Sequence, residues 1–246
     1  MVIAAADIMD AVIPVTYYDL GPYFTINKAI VMLFVAAILT FLFVYIPTRK
    51  LKLIPGRWQN AIESLVDFIR EGIISEIMGE KGKPYFPLVA TLFIFILFCN
   101  VIGLIPGSFT PTSRISITAA FALIVYFIYL FVGIREQGFF GYLKTFAPAG
   151  IHWVMLILIV PIEVIGALIV RPFSLAVRLF ANMLAGHLVL ALFLGMTISL
   201  FWLFKPFPFA LVVVLYGFEL FIAALQAYIF AILAAIYIGS SLESEH

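Results

Sequence analysis

The fold is decided by residues 151–204, which read IHWVMLILIVPIEVIGALIVRPFSLAVRLFANMLAGHLVLALFLGMTISLFWLF. The residues in it that carry or can carry a charge are Glu163, Arg171, Arg178, His152 and His187. At 1.5 Å per residue, about 40–50 helical residues reach roughly 60–75 Å, twice the hydrocarbon thickness of a bilayer. The segment is therefore expected to tilt steeply, bend or fold back, with Pro161 and Pro172 as bending points.

The composition of the whole chain is that of a polytopic membrane protein. Of its 246 residues 65% are hydrophobic and 11% are charged, whereas a soluble domain carries roughly 25% charged residues. The formal net charge of +1 gives no indication of a nucleic-acid partner. A single cysteine, Cys99, excludes an internal disulfide and a multi-cysteine metal site, and no cofactor is predicted. Without a basic n-region at the N-terminus, we expect no cleavable signal peptide.

Five apolar segments predict one polytopic domain, residues 1–246, because about 20 apolar residues cross the hydrocarbon. The predicted membrane helices are residues 28–46, 86–105, 115–134, 151–204 and 209–239. Basic residues follow the first and the third span: Arg49, Lys50, Lys52, Arg57, Arg135 and Lys144. Such residues favour the cytoplasmic side. Segment 1–26 and the N-terminus are therefore expected outside, and the C-terminal tail inside.

Residues 57–80 are predicted to form an amphipathic helix. Apolar residues recur at three- and four-residue spacing, namely Ile62, Leu65, Val66, Ile69, Ile73 and Ile77, and acidic and basic residues lie between them. This pattern is typical of a helix that lies on the membrane surface. The alternative is an ordinary helix that packs on a soluble partner. Because spans flank this segment on both sides, the membrane surface is preferred.

The last two membrane helices carry an unusual set of polar side chains. On a helical wheel, four of them fall within about 80° of one another and form one stripe: Arg171, Ser174, Arg178 and Asn182. His187 projects roughly opposite Arg178. On the next helix Glu219 and Gln226 share a face, and Tyr228 is a secondary candidate.

Antiparallel packing of these two helices, with Gln226 level with Arg178, predicts a layout along the membrane normal. His187 then lies about 13 Å and Glu219 about 10 Å toward the outer side, at similar depth. Glu163 lies about 22 Å toward the inner side along a tilted helix. Titratable groups thus flank a permanent cation, an arrangement that suits proton transfer, since His and Glu exchange protons near neutral pH when their surroundings tune them.

Arg178 is the functional residue predicted most directly from the sequence. An arginine at bilayer depth costs about 2.5–3.5 kcal/mol on insertion scales, and a guanidinium keeps its charge there. It can block a proton or attract a carboxylate on a partner, but it cannot relay a proton.

Structural roles remain open for the other polar residues. Arg171 can snorkel or bind backbone carbonyls, and Ser174 can serve helix packing. Asn182 can form an interhelical hydrogen bond. Glu163 can pair with Arg171.

Several stretches resemble subunit a of the F-type, rotary ATP synthases, over about residues 25–240. The most specific is RPFSLAVRLFANMLAGH at 171–187. Further matches are FCNVIGLIPGSFTPTS at 98–113, PIEVIGALIVRP at 161–172 and FELFIAALQAYIFAILAAIYI at 218–238. The pairing of histidine at 187 with glutamate at 219 is similar to the alphaproteobacterial and mitochondrial form.

The resemblance implies an all-α fold with five spans and one surface helix, the last two helices long, tilted and antiparallel. It implies a proton-conducting stator subunit, with no catalysis of its own, that couples proton flow to rotation and ATP synthesis. Arg178 matches the family's indispensable arginine, which separates two half-channels and attracts the carboxylates of a ring of c subunits. The residues that match the proton pathway are His187, Glu219, Glu163, Asn182 and Gln226. Peripheral-stalk b subunits, the rest of the synthase and the lipid bilayer are the other implied partners.

Two other function classes compete with this interpretation. A self-contained secondary transporter could bind an anionic solute with Glu163, Arg178 and Glu219, but the sequence has no inverted repeat of the kind that such transporters often carry. A membrane scaffold with structural ion pairs would not need an unpaired Arg178. The predicted location is the bacterial inner membrane, with the mitochondrial inner membrane as the alternative.

Overall fold

The computed structural model describes residues 16–19, 25–48, 56–105, 107–146, 153–200 and 204–242. Within these ranges five helices are long and apolar enough to cross a membrane. The predicted all-α membrane fold is thereby confirmed. Some residues used in the sequence analysis lie outside the described ranges: Arg49, Lys50, Lys52, His152, most of segment 1–26 and the end of the tail, 243–246.

A short hairpin precedes the first long helix and was not predicted. Strands β1 (Thr16–Asp19) and β2 (Thr25–Asn27) are antiparallel, with Thr16 opposite Asn27. Helix α1 (Lys28–Thr48) follows at once. The side chain of Asn27 accepts a hydrogen bond from the backbone N–H of Ile30 at 3.1 Å, which satisfies one free donor of the first turn.

The amphipathic segment is helical but is not one regular α-helix. Helix α2 (Arg57–Ile69) passes into a π-helical turn (Arg70–Ser75), one α-helical turn (Glu76–Met78) and a 3₁₀ segment (Gly79–Tyr85). Helix α3 (Phe86–Gly103) then begins the second apolar span. Gly79 has φ of +60°, a backbone conformation that glycine adopts at little cost, and the change of helix type occurs there. Ile69 and Ile73 are fully buried, so the apolar face of this segment packs on the bundle.

The third long helix extends well past residue 134, where the sequence analysis placed its end. Helix α4 (Ile115–Thr145) includes Arg135 and Lys144, which were expected in a loop. At Gly138 the backbone is not helical, with φ of +72° and ψ of 163°, so two helical segments meet there at a kink. Gly141 is helical, although glycine has a low helix propensity. The residues after the kink include the exposed Phe139 and Phe140.

The fourth apolar segment is one long, locally distorted helix. Helix α5 (Trp153–Ile165) and helix α6 (Arg171–Ser199) are joined by a π-helical turn (Gly166–Val170). Pro161 lies inside α5 and Pro172 in the first turn of α6. The distortion therefore lies between the two prolines, on the N-terminal side of Pro172. A proline has no N–H and clashes with the preceding turn, and such defects are accommodated by a π-type turn.

Helix α7 (Pro206–Leu242) forms the centre of the bundle and contacts α3, α4 and α6. Its fully buried face is rich in alanine: Ala223, Ala227, Ala231, Ala234 and Ala235. Small side chains allow the backbones of neighbouring membrane helices to approach closely. The long helix can therefore bring its polar residues, Glu219 and Gln226, into direct contact with α6.

Candidate functional site

The structure brings His187 of α6 and Glu219 of α7 together. Nδ1 of His187 lies 3.4 Å from Oε1 of Glu219, and both side chains are mostly buried. Both carboxylate oxygens of Glu219 are buried and make no hydrogen bond within the described ranges. The distance to His187 is that of an ion pair, but its geometry is not that of a hydrogen bond. A carboxyl group held in this way, beside a histidine, can accept or release a proton when water reaches it.

A glycine on α6 makes the close approach of Glu219 possible. A Cβ atom at Gly186 would lie 2.6 Å from Oε1 and 2.9 Å from Cδ of Glu219. Beside this contact, a groove of about 300 Å³ runs between the two helices. Its lining includes Asn182, Gly186, Glu219 and the apolar Val189 and Phe218.

Two amides determine the register of the two helices. Nδ2 of Asn182 donates a 2.6 Å hydrogen bond to Oε1 of Gln226. Along the chain, the step from Asn182 to His187 runs forward while the step from Gln226 to Glu219 runs backward, so the helices are antiparallel. Gln226 thus lies level with Asn182, about one helical turn from the level of Arg178 at which the sequence analysis placed it. The predicted equal depth of His187 and Glu219 holds in this register.

Arg178 lies on the exposed side of α6 and makes no hydrogen bond or ion pair with any residue that the structure describes. Ala181 and Ala185, three and seven residues further along, lie on the same side of the helix and are also exposed. Asn182, one turn away, is also exposed although its amide is bonded to Gln226. A guanidinium that cannot lose its proton is thus presented to whatever covers this face.

Glu163 and Arg171 form an ion pair across the π-helical turn. Nη2 of Arg171 lies 3.6 Å from Oε1 of Glu163, and both side chains are partly exposed. The guanidinium also lies over the ring of Tyr237, 5.5 Å from its centroid. A structural ion pair between Glu163 and Arg171 was left open by the sequence analysis. The structure contains this ion pair. The exposed fraction of 48% for Glu163 leaves its carboxylate in contact with the surroundings.

The remaining candidates have local contacts. Ser174 donates a hydrogen bond to the carbonyl oxygen of Arg171 at 3.1 Å, within its own helix. The ring of Tyr228 packs against Phe68 of α2 with centroids 5.5 Å apart. The structure does not bring either side chain into the His187–Glu219 pair.

Several residues around that pair were not singled out from the sequence. Thr110 contacts Nε2 of His187. Asn100 is fully buried and donates to the carbonyl oxygen of Ala223 at 3.1 Å, and Thr112 donates to Asn100 at 2.6 Å. All three lie in the stretch 98–113, which resembles the same family. Polar residues beside a predicted turn do not indicate which distant helix they will contact.

The chain is similar to known proteins over most of its length. The family described as "ATP synthase A chain" matches residues 29–239. The chain belongs to that family. Among its relatives, ATP synthase subunit a of Magnetococcus marinus is 44% identical over 89% of this chain and 85% of that protein. Subunit a of Mesorhizobium japonicum is 40% identical over 93% of this chain and 90% of its own length.

Membership of the ATP synthase A chain family defines the broad role. The chain is a non-catalytic membrane subunit of the ATP synthase complex. It is a multi-pass protein of the inner membrane, as its five apolar helices and its bacterial relatives indicate. A third relative, subunit a of Rubrobacter xylanophilus, is 42% identical over 92% of this chain and 87% of its own length.

Proposed function

We propose that this chain is the proton-conducting stator subunit of the ATP synthase, with two offset aqueous half-channels that load and unload carboxylates on a ring of c subunits. The observation that carries the proposal is the position of Arg178, an exposed cation on α6 with no ion-pair partner in the described part of the chain. The buried His187–Glu219 pair lies on one side of it along the helix and the Glu163–Arg171 pair on the other.

The outer half-channel is assigned to His187 and Glu219. Burial removes both groups from bulk water, and two titratable groups at 3.4 Å can pass a proton between them with small movements. The groove beside Gly186 leads from Glu219 to the face on which Asn182 is exposed, and a proton on Glu219 is thereby brought within reach of a partner on that face. A c-subunit carboxylate that takes this proton becomes neutral and can face lipid.

The inner half-channel is assigned to Glu163. Its carboxylate is half exposed, and Arg171 lies against it. In this assignment, a proton that leaves a ring carboxylate passes to the inner side by way of the exposed Glu163 carboxylate. The ion pair with Arg171 supports this role, because it holds Glu163 at one depth without enclosing it.

Arg178 keeps the two half-channels apart. A bare carboxylate in hydrocarbon is prohibitively costly, and a fixed guanidinium offsets that cost as an unloaded ring carboxylate passes. Because arginine does not release its proton, no proton crosses directly from one half-channel to the other. The driving energy is about 2.3 kcal/mol per charge for each 100 mV of membrane potential.

The orientation follows from the charge bias of the sequence. The N-terminus is assigned to the outer side and the C-terminus to the cytoplasm, with α2 on the cytoplasmic membrane surface and the long last helices tilted against the ring. The uncovered apolar face of α5 and α6, which carries Arg178, is assigned to the ring. Peripheral-stalk b subunits are the other membrane partners in this proposal.

ATP-driven proton pumping by inverted membrane vesicles tests the role of Arg178. Arg178→Ala is expected to abolish coupled pumping while the complex still assembles, because the passing carboxylate loses its counterion. Arg178→Lys should also fail, since a lysine within the membrane, unlike an arginine, can release its proton. Arg135→Ala, which removes an exposed arginine from α4, is the matched control. Coupled pumping by the Arg178→Ala complex would refute the proposal.

Purification distinguishes this function from that of a self-contained transporter of an anionic solute. A stator subunit should co-isolate in mild detergent with an oligomeric ring of small carboxylate-bearing hairpins. A chain that is purified alone, and that moves an anion when reconstituted alone, would favour the transporter instead.

A further inference from the structure

We propose that Thr110 is a positioning residue that orients the imidazole of His187 for proton uptake from the outer side. This inference rests on the proposed proton-conducting function. It concerns a residue of the loop between α3 and α4, away from the α6–α7 interface that carries the other assigned groups.

The two nitrogens of His187 have different partners. Nε2 contacts the hydroxyl of Thr110, and Nδ1 lies 3.4 Å from Oε1 of Glu219. The two nitrogens project from different edges of the ring, and the partner of one nitrogen determines the tautomer and orientation in which the other acts. With Thr110 at Nε2, the ring presents Nδ1 to the carboxylate. Without that contact, the ring can rotate away from Glu219.

The side chain of Thr110 is itself held in place. It is 2% exposed, and a Cβ atom at Gly103 would lie 1.7 Å from its hydroxyl oxygen, so glycine at 103 provides the space that this side chain occupies. The carbonyl oxygen of Thr110 accepts hydrogen bonds from the backbone N–H and the hydroxyl of Ser113, at 3.1 and 2.8 Å. Thr110 therefore has little freedom to follow a moving histidine.

The loop is also tied to α7 on both sides of Glu219. Tyr216, three residues before Glu219, donates a 2.7 Å hydrogen bond to the carbonyl oxygen of Leu104. Ala223, four residues after it, accepts one from Asn100, which in turn accepts one from Thr112. These bonds fix the distance between Thr110 and Glu219. His187 is the third member of the group, and it bridges two residues that cannot move apart.

A small cavity lies on the loop side of His187. Its volume is about 50 Å³ and its lining is Gly103, Ser108, Phe109, Thr110 and His187. By the same measure a water molecule needs about 10–15 Å³ and two to four polar partners, and the hydroxyls of Ser108 and Thr110 can supply two. Thr110 thus lies beside the cavity through which water would reach His187. Its hydroxyl can orient the imidazole ring without blocking that access.

The experiment compares two substitutions of Thr110 in the assembled ATP synthase. Proton flux into inverted vesicles is measured as a function of pH, for Thr110→Val and for Thr110→Ser. Loss of the hydroxyl in the valine variant should lower the flux roughly tenfold, the effect of one lost hydrogen bond of typical strength. It should also shift the pH at which the flux is half-maximal. Serine keeps the hydroxyl and should restore both.

Thr118→Val is the matched control. Thr118 is also buried, but within the described ranges its hydroxyl bonds to backbone carbonyls at the start of its own helix, those of Arg114 and Ile115. Its valine variant should keep the flux and the pH profile of the unchanged protein. If Thr110→Val does not assemble, as judged by recovery of the whole complex, Thr110→Ala is measured in its place.

Failure of this inference can be distinguished from failure of the proposed function. If His187→Ala slows the flux and the Thr110 variant without a hydroxyl does not, Thr110 has no positioning role. If serine is as slow as valine, the hydroxyl is not the group that matters and the inference is also wrong. If Arg178→Ala pumps normally and His187→Ala and Glu219→Gln are both silent, the proposed function fails, and this inference fails with it.

Discussion

At the scale of single residues, the polar side chains without a hydrogen-bond partner are as informative about the site as those that have one. Arg178 has no partner among the residues described, and the oxygens of Glu219 have no hydrogen bond there. Unpaired polar groups inside a membrane are costly and are usually functional. Asn182 and Gln226, by contrast, satisfy each other. The two unsatisfied residues are therefore the ones we expect to act on a partner or on a proton.

Gly186→Ala tests whether the close approach of Glu219 to α6 matters. The added methyl group would lie 2.6 Å from Oε1 of Glu219, so the carboxylate must shift from its position beside His187. We expect proton flux to fall by about tenfold or more, since a misplacement of about 1 Å can cost that much. The measurement is ATP-driven pumping, normalised to the amount of assembled complex.

Gly217→Ala is a suitable control for that substitution. It lies two residues from Glu219, and beyond its own helical turn its added Cβ would meet no atom of the described residues within 4 Å. Its pumping should be unchanged. Equal pumping by the two variants would show that Gly186 does not determine the position of Glu219.

At the scale of secondary-structure elements, the long helix formed by α5, the π-helical turn and α6 carries most of the site. The π-helical turn lies between Glu163 and Arg171, which meet as an ion pair across it. Tyr129 of α4 donates a hydrogen bond to the carbonyl oxygen of Ala167 within that turn. A π-turn leaves carbonyl groups without regular helical partners, and side chains of neighbouring helices can satisfy them. We infer that Tyr129 stabilises the distortion.

Tyr129→Phe should therefore lower the stability of the bundle. Removal of one interhelical hydrogen bond in a membrane costs about 0.6–2 kcal/mol. The measurement is the midpoint of unfolding of the purified complex in a denaturing-detergent titration. Tyr126→Phe is the control, because the ring of Tyr126 contacts Tyr129 while its hydroxyl makes no hydrogen bond in the ranges that the structure covers. An equal midpoint for the two variants would contradict the role assigned to Tyr129.

At the scale of the whole molecule, the number and order of the apolar helices decide which loops share a side of the membrane. Helix α3 lies between Lys81 and Ser116, and Ser116 and Lys144 lie near opposite ends of α4. Each helix is long and apolar enough to cross once. Lys81 and Lys144 are therefore expected on the cytoplasmic side and Ser116 on the outer side.

Cysteine labelling tests this topology. Single cysteines are introduced at Lys81, Ser116 and Lys144 in a background in which Cys99, which is buried, is replaced by alanine. A membrane-impermeant thiol reagent should label the first and third positions in inverted vesicles, and Ser116 only when the outer face is accessible. The same labelling pattern for Lys81 and Ser116 would contradict the assigned crossing of α3.

The sequence by itself determined the class of the fold and the key side chains. Long apolar segments make membrane helices unavoidable, because a backbone in lipid must satisfy its own hydrogen bonds. Arg178, His187, Glu219 and Glu163 were chosen from their rarity and spacing in those segments. Proline and glycine positions were less informative: Gly141 did not break its helix, and the distortion between Pro161 and Pro172 lies at Gly166–Val170.

Only the tertiary structure decided which distant residues complete the site. Helical spacing predicts on which face of its helix a residue lies, and its level only to within about one turn. The register of α6 against α7 depends on the hydrogen bond between Asn182 and Gln226 and on close packing at alanine and glycine. Thr110 and Asn100 reach the site because a loop is tied to α7 by contacts more than 70 residues apart in sequence. Such contacts form only when the helices pack together, so the local sequence pattern does not predict them.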